Sequence, residues 1–244
     1  MNDVIARELA PAGVLRIGLN FGNPVVVQKD AAGGAPRGVG PALGRELARR
    51  LALQVAYVPY ETAAALAEAA PRSEWDIAFL ARDPARAGEI AFSAPYMLIE
   101  GTYMVASDSP LRDVGDVDRE GIRIAVGDKT AYDLWLTRNV KHAILVKAPS
   151  SKAAIDMFRE RGLDAVAGVR QPLAAMARSH PGYRVMDGRF MAIGQASGVP
   201  RGRDAAAAYL HRFIEEAKRD GFVAKALAAS GQAATVAPAE DSPR

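Results

Sequence analysis

The chain has 244 residues, half of them hydrophobic, with 31 Lys+Arg against 28 Asp+Glu, a formal net charge of +3 and no cysteine. That length and apolar content can bury a sizeable core, as one large domain or as two lobes of about 100 residues each. The charges interleave without the Lys/Arg block that tracks a nucleic acid, no run approaches the roughly 20 apolar residues of a membrane span, and the missing cysteine excludes disulfides, thiolate metal sites and a Cys nucleophile.

The opening MNDVIARELAPAG lacks the basic and apolar regions of a secretory leader, so either a leader has been replaced by a new Met or the protein is made without one. Val14 to Asn20 (VLRIGLN) then reads as a strand that places Asn20 at its carboxyl end, where open α/β sheets hold ligands. Phe21 continues into a loop, and Ala31 to Gly34 reads as a surface turn without the Gly-Lys-Ser/Thr ending of a phosphate loop. Pro41 to Leu53 places Leu43, Leu47 and Leu51 on one helical face, with Arg45, Glu46, Arg49 and Arg50 off it. Val55–Tyr60 is expected as a strand, Ala63–Ala70 as a helix and Trp75–Leu80 as a buried strand. This alternation argues for an α/β fold with a mostly parallel sheet flanked by helices.

The stretch Trp75 to Tyr96, WDIAFLARDPARAGEIAFSAPY, carries the chemistry. Asp83 can cap a helix with Pro84 at its first position, and Arg86 falls in the first turn. Free N–H groups beside a guanidinium suit a carboxylate or phosphate. The same residues serve equally as a plain cap and a surface ion pair.

Beyond it, Gly101–Ala106 reads as a strand, and a domain boundary is expected near residue 105. The pattern then restarts with strand Ile122 to Val126, loop Gly127 to Thr130, helix Ala131–Thr137, strand Ile144–Val146, helix Ser151–Arg161 and strand Ala165–Val169. Thr130 caps a helix and so repeats the chemistry of the first corner, with Tyr132 beside it. Arg170 follows a strand's carboxyl end, and a helix is expected over Gln171–Arg178. By themselves, Thr130 reads as an N-cap and Arg170 as a solvated charge. Strands Tyr183–Met186 and Phe190–Gln195 lead back. Asp204 is expected to cap a long helix buried through Tyr209, Leu210, Phe213, Ile214 and Ala217, with a short helix over Phe222–Ala229 and a frayed tail from Thr235. His142, His180 and His211 lack ligand spacing, so no metal or other cofactor is expected.

The run Asp83 to Tyr96, D-P-A-R-A-G-E-I-A-F-S-A-P-Y, resembles the signature of extracellular solute-binding proteins of the polar amino-acid uptake family. The likeness spans nearly the whole chain, through Gly13 to Gly18, Arg37 to Gly40, Lys129-Thr130, Leu163 to Val166 and Arg219 to Gly221. It implies a type II periplasmic-binding-protein fold, two α/β lobes closing on a small solute that an ABC permease receives, in a periplasmic monomer. Lobe 1 is expected over 1–105 and 196–234, lobe 2 over 106–195, and a flexible tail over 235–244.

The resemblance makes Arg86 the residue that holds a ligand carboxylate and Thr130 its second-lobe partner, with Phe21 near an aromatic that packs on the ligand. Asn20, Asp83, Glu100, Tyr132, Arg170 and Gln195 complete the candidate ligand-binding set. Two departures stand out: Ala81 replaces a Ser/Thr, and Val169 stands where the family has the acid that receives an α-ammonium. Such a pocket should disfavour a zwitterionic α-amino acid by several kcal/mol, unless Glu100 or Asp83 replaces the acid. The expected ligand is a small carboxylate, an organic acid or atypical amino acid, with Arg170 available to a second anionic group. Other readings are a dehydratase of prephenate or arogenate type using Glu100 as general acid, and a leaderless sensor or orphan binder.

Overall fold

The computed structural model describes residues 3–30 and 32–240. The chain divides into two compact units, Met1–Leu98 with Gly194–Arg244, and Ile99–Ile193. It passes from the first to the second inside β4 (Ile90–Ala106) and returns inside β9 (Met191–Pro200). Gly101–Ala106, expected as a strand of its own, is the second half of one 17-residue strand, β4.

In unit 1, β1 (Val14–Asn20) runs parallel to β2 (Gln54–Tyr60) and β3 (Ile77–Ala81), in register Asn20 to Tyr60 and Leu19 to Phe79. β9 lies antiparallel on β3, giving the order β2-β1-β3-β9-β4. β3 is buried throughout, as expected for a central strand covered on both faces. α2 (Val39–Leu51) packs Leu43, Leu47 and Leu51 inward. It comes close because residue 44 is glycine: a Cβ there would stand 2.5 Å from Ile17 Cδ1. α3 (Ala63–Glu68) starts at Thr62, whose hydroxyl accepts from Ala65 N, and covers Trp75 with Leu66, whose carbonyl accepts the indole N–H.

The lead expected before β1 is helical, α1 (Asp3–Leu9), and it starts α7 (Asp204–Arg219) from afar. Asp204 is the first helical residue of α7 and not its cap; the Glu8 carboxylate accepts from Ala206 N at 2.8 Å instead. Below this contact Asp76 is fully buried. Its carboxylate accepts from Arg16 N, Nε and Nη2 and from Arg203 Nη1, at 2.8 to 3.0 Å. After α8 (Phe222–Ser230), residues 235–240, expected to fray, are bonded to unit 1. β10 (Thr235–Val236) adds to β4, Lys218 Nζ donates to Pro238 O, and Arg82 pairs with Glu240. Ala31 and residues 241–244 of the expected turn and tail lie outside the described residues.

In unit 2, β5 (Arg123–Gly127) runs parallel to β6 (Ile144–Ala148) and β7 (Ala165–Val169), and the second half of β4 lies antiparallel to β7 and β8 (Tyr183–Val185). α4 (Ala131–Asn139), α5 (Ser151–Arg161) and α6 (Arg170–Ser179) make the crossovers. The core gathers Met104, Ala125, Ala154, Phe158, Val166 and Leu173. The helix expected over Gln171–Arg178 starts one residue earlier, so Arg170 is the first residue of α6. Among the described residues no helix is long and apolar enough to cross a membrane.

Removing Asp76 leaves two guanidinium groups facing a buried gap, so Asp76→Ala should lower the unfolding free energy by about 3–5 kcal/mol. Urea denaturation measures this, and a loss under about 1 kcal/mol would show the cluster to be dispensable. On α2, hydrogen bonds from Arg49 and Arg50 hold Glu46 down at about 2. A carboxylate depressed in the folded state stabilises above its unfolded pKa and loses that contribution as pH falls towards the folded one. The urea midpoints of wild type and Glu46→Gln should therefore differ at neutral pH and converge as pH drops from 4.5 towards 2.

Candidate functional site

Because β1 and β3 are parallel, their carboxyl ends open on one edge of unit 1. Asn20, at the end of β1, is buried, and its Oδ1 accepts from Gly22 N at 2.9 Å, closing the turn that presents Phe21. Phe21 N donates to Tyr60 O, and Lys29 Nζ lies 5.3 Å from the ring centre.

At the end of β3, Asp83 accepts from Ala85 N at 2.9 Å and Pro84 holds the first position of the turn. The helix expected here is only a 3₁₀ turn, Pro84–Arg86. Three residues align too few peptide dipoles to act as a helix N-terminus, so any attraction for an anion rests on the arginine. Arg86 is 6% exposed and donates from Nη1 to Ala81 O at 2.9 Å. Burial pushes its guanidinium down to about 10, with Asp83 working in the opposite direction. It is thus a buried cation at neutral pH. Gln195 lies directly across from Ala81 on β9 and is also buried.

In unit 2 the carboxyl ends of β5, β6 and β7 share an edge. Thr130 caps α4: its hydroxyl donates to Gly127 O at 2.8 Å and accepts from Asp133 N at 3.1 Å. Asp133, fully buried, accepts in return from Lys129 N at 2.8 Å, which holds Lys129 in the left-handed region at φ 53. Gly127 is required: a Cβ would stand 2.8 Å from Ser151 N, blocking the approach of α5. That approach lets Tyr132 donate to Ser151 Oγ at 2.7 Å. Burial pushes the Tyr132 phenol up against this hydrogen bond. Burial also works against the Lys147 ammonium, yet Asp133 and Asp128 hold it above the usual lysine value.

Glu100 and Arg170 meet because Gly101 pairs with Val169 across β4 and β7. Arg170 Nε donates to Glu100 at 2.6 Å, Nη1 to Met186 O at 3.2 Å and Nη2 to Gly188 O. Arg189 Nη1 adds a contact to Glu100 at 3.2 Å. The Arg170 guanidinium, with Arg189 in support, holds the Glu100 carboxyl below its ordinary range. A second anion on Arg170 would have to displace Glu100.

The structure thus assembles Asn20, Phe21, Asp83, Arg86 and Gln195 along unit 1's edge, and Thr130, Tyr132, Arg170 and Glu100 in unit 2. Sequence reasoning missed Asp133, Lys147 and Arg189. The spacing Thr130-x-x-Asp133 is a capping-box signal that could have found Asp133; Lys147 and Arg189 carry no local signal. Among the described residues no group of three His, Asp or Glu could hold a metal ion.

The family profile described as bacterial extracellular solute-binding proteins, family 3, matches residues 15–229. No curated protein matches the sequence. The structure is similar to the solute receptor for L-cysteine of Neisseria gonorrhoeae, with 23% identity, TM-score 0.79, and coverage of 93% of this chain and 92% of that one. It is similar to the cysteine-binding protein of Campylobacter jejuni, with 22% identity, TM-score 0.78, and coverage of 96% and 94%. A third likeness is to an ancestral amino-acid-binding protein, a precursor of cyclohexadienyl dehydratase, with 21% identity, TM-score 0.76, and coverage of 92% and 98%. At these identities the likeness shows the fold, the two-lobed α/β fold of type II periplasmic binding proteins.

Arg86→Met removes the donor to Ala81 O and the positive charge beside buried Asp83, so it should lower the melting temperature of the ligand-free protein; an unchanged melting temperature would show that these contacts do not hold the corner.

Proposed function

We propose, for a chain that belongs to the bacterial extracellular solute-binding proteins, family 3, that it is the solute-binding component of an ABC-type uptake system and takes a small carboxylate-bearing solute. The observation that carries this reading is Arg86, a buried guanidinium that stays cationic just past the carboxyl end of β3 in unit 1. A carboxylate would accept from it through a bidentate pair. Val169, apolar and in register with Gly101, offers no charge to an ammonium, which favours an organic acid over an ordinary amino acid. A periplasmic location and a permease as partner follow from the family and belong to the same proposal.

Glu100 bears on the enzymatic alternative. A general acid at neutral pH needs its pKa raised, whereas Arg170 and Arg189 lower that of Glu100. This supports a binder over a dehydratase.

A thermal-shift screen tests the proposal. Organic acids should raise the melting temperature, with about 2.7 kcal/mol gained at a hundred times the Kd, and Arg86→Met should abolish the shift. If the standard amino acids stabilise as well as the organic acids, the reading of Val169 fails.

A further inference from the structure

Unit 1 contains, at the Arg86 corner, a buried acceptor without a donor among the described residues; the inference drawn from it rests on the carboxylate reading of Arg86. Gln195 is 2% exposed, and its Oε1 is buried without a hydrogen-bond partner among the described residues. An unpaired buried carbonyl opposes folding, so its presence calls for a donor from elsewhere. Two other buried atoms in unit 1 share this condition, the Tyr96 hydroxyl and His211 Nε2. Tyr96 packs edge-on against Phe79 at 6.0 Å, and His211 sits on α7, its Nδ1 accepting from Ala94 N. Gln195 is the one placed at the Arg86 corner.

The antiparallel register pairs Gln195 with Ala81, and partnered residues point to the same face of a sheet. Arg82 N donates to Gly194 O at 2.9 Å and locks this register. The carbonyl of Ala81 accepts from Arg86, which ties the guanidinium to the strand facing Gln195. The side chain of Ala81 ends at Cβ and offers no polar group, so Gln195 supplies the hydrogen-bonding capacity on that face. Its backbone is held in β9, between strands on both sides, so the amide is presented from a rigid element.

We propose that Gln195 is a specificity-determining residue: its Oε1 accepts an O–H from the carbon next to the carboxylate held by Arg86, and the solute is a 2-hydroxy carboxylic acid. The amide is neutral. It satisfies a hydroxyl fully but gives a buried ammonium no counter-charge, which selects the hydroxy acid over the amino acid. A site built to bond a hydroxyl also rejects the analogue that lacks it, because the carbonyl is then left unpaired.

Isothermal titration calorimetry with matched straight-chain acids of about three to six carbons, bearing hydroxyl, amino or hydrogen at carbon 2, tests this on wild type, Gln195→Met and Arg86→Met. The wild type should bind the 2-hydroxy acid at least about tenfold more tightly than its unsubstituted analogue. In Gln195→Met that preference should collapse to about twofold or less, with the unsubstituted acid bound as before. Gln195→Glu, which adds a charge without changing size, should turn the preference towards the 2-amino acid and serves if the Met variant does not fold. A hydroxyl preference that survives in both variants overturns the role of Gln195, while Arg86-dependent binding would leave the carboxylate reading standing. Tightest wild-type binding of the 2-amino acid overturns the hydroxyl assignment. Binding of no carboxylate, or binding indifferent to Arg86→Met, overturns the carboxylate reading and this inference with it.

Discussion

A carboxylate taken out of water has to be surrounded by donors, and Asp76 at the head of β3 receives four, three from Arg16 and one from Arg203. The two donor residues belong to different pieces of unit 1. Arg16 is on β1; Arg203 stands at the entry to α7 and also donates to Glu8 O. Strand order, the docking of α1 and the start of α7 are therefore coupled through one buried charge. The central sheet needs this anchor because its apolar surface alone does not choose where the returning chain enters: hydrophobic burial is non-directional, whereas a bidentate arginine fixes geometry.

Arg86 is a buried charge too, beyond the other end of β3, and it donates to Ala81 O. Asp76 is met by two cations; Arg86 is buried deeply enough for desolvation to lower its pKa despite Asp83 nearby. Unit 1 separates the two roles along β3: the charge cluster that holds the fold is at the strand's entrance, and the residues assigned to the solute are at its exit. The orphaned carbonyl of Gln195 lies at that exit as well.

Unit 2 is built on hydroxyls and ion pairs that are already satisfied. Thr130 and Asp133 cap α4 reciprocally with the backbone, Tyr132 bonds Ser151, and Glu100 is clasped by Arg170 and Arg189. Reading Arg170 as a waiting cation overlooked that Glu100, 70 residues away, sits within reach once β4 and β7 pair. The cation and the acid that the sequence offers as separate candidates are one another's partners.

The elements whose cause is local were legible in the sequence. Val14–Asn20, Ser151–Arg161 and Ala165–Val169 form as strand, helix and strand because apolar period and flanking cap or glycine agree within a few residues. The corner Asp83 to Arg86 was legible for the same reason, and the family signature around it pointed to the arginine. The sequence by itself thus determined the α/β class and the family resemblance, with its two-lobed fold. Only the tertiary structure decided that Glu8 caps a helix 198 residues away, that Lys218 holds residues 235–240 against unit 1, and that Asp83 opens one 3₁₀ turn. It also decided which polar groups are spoken for, Arg170 among them, and left the Oε1 of Gln195 without a donor. Local pattern follows from short-range sterics and periodicity, while the state of a buried polar atom depends on strand register between distant segments, which no window of sequence contains.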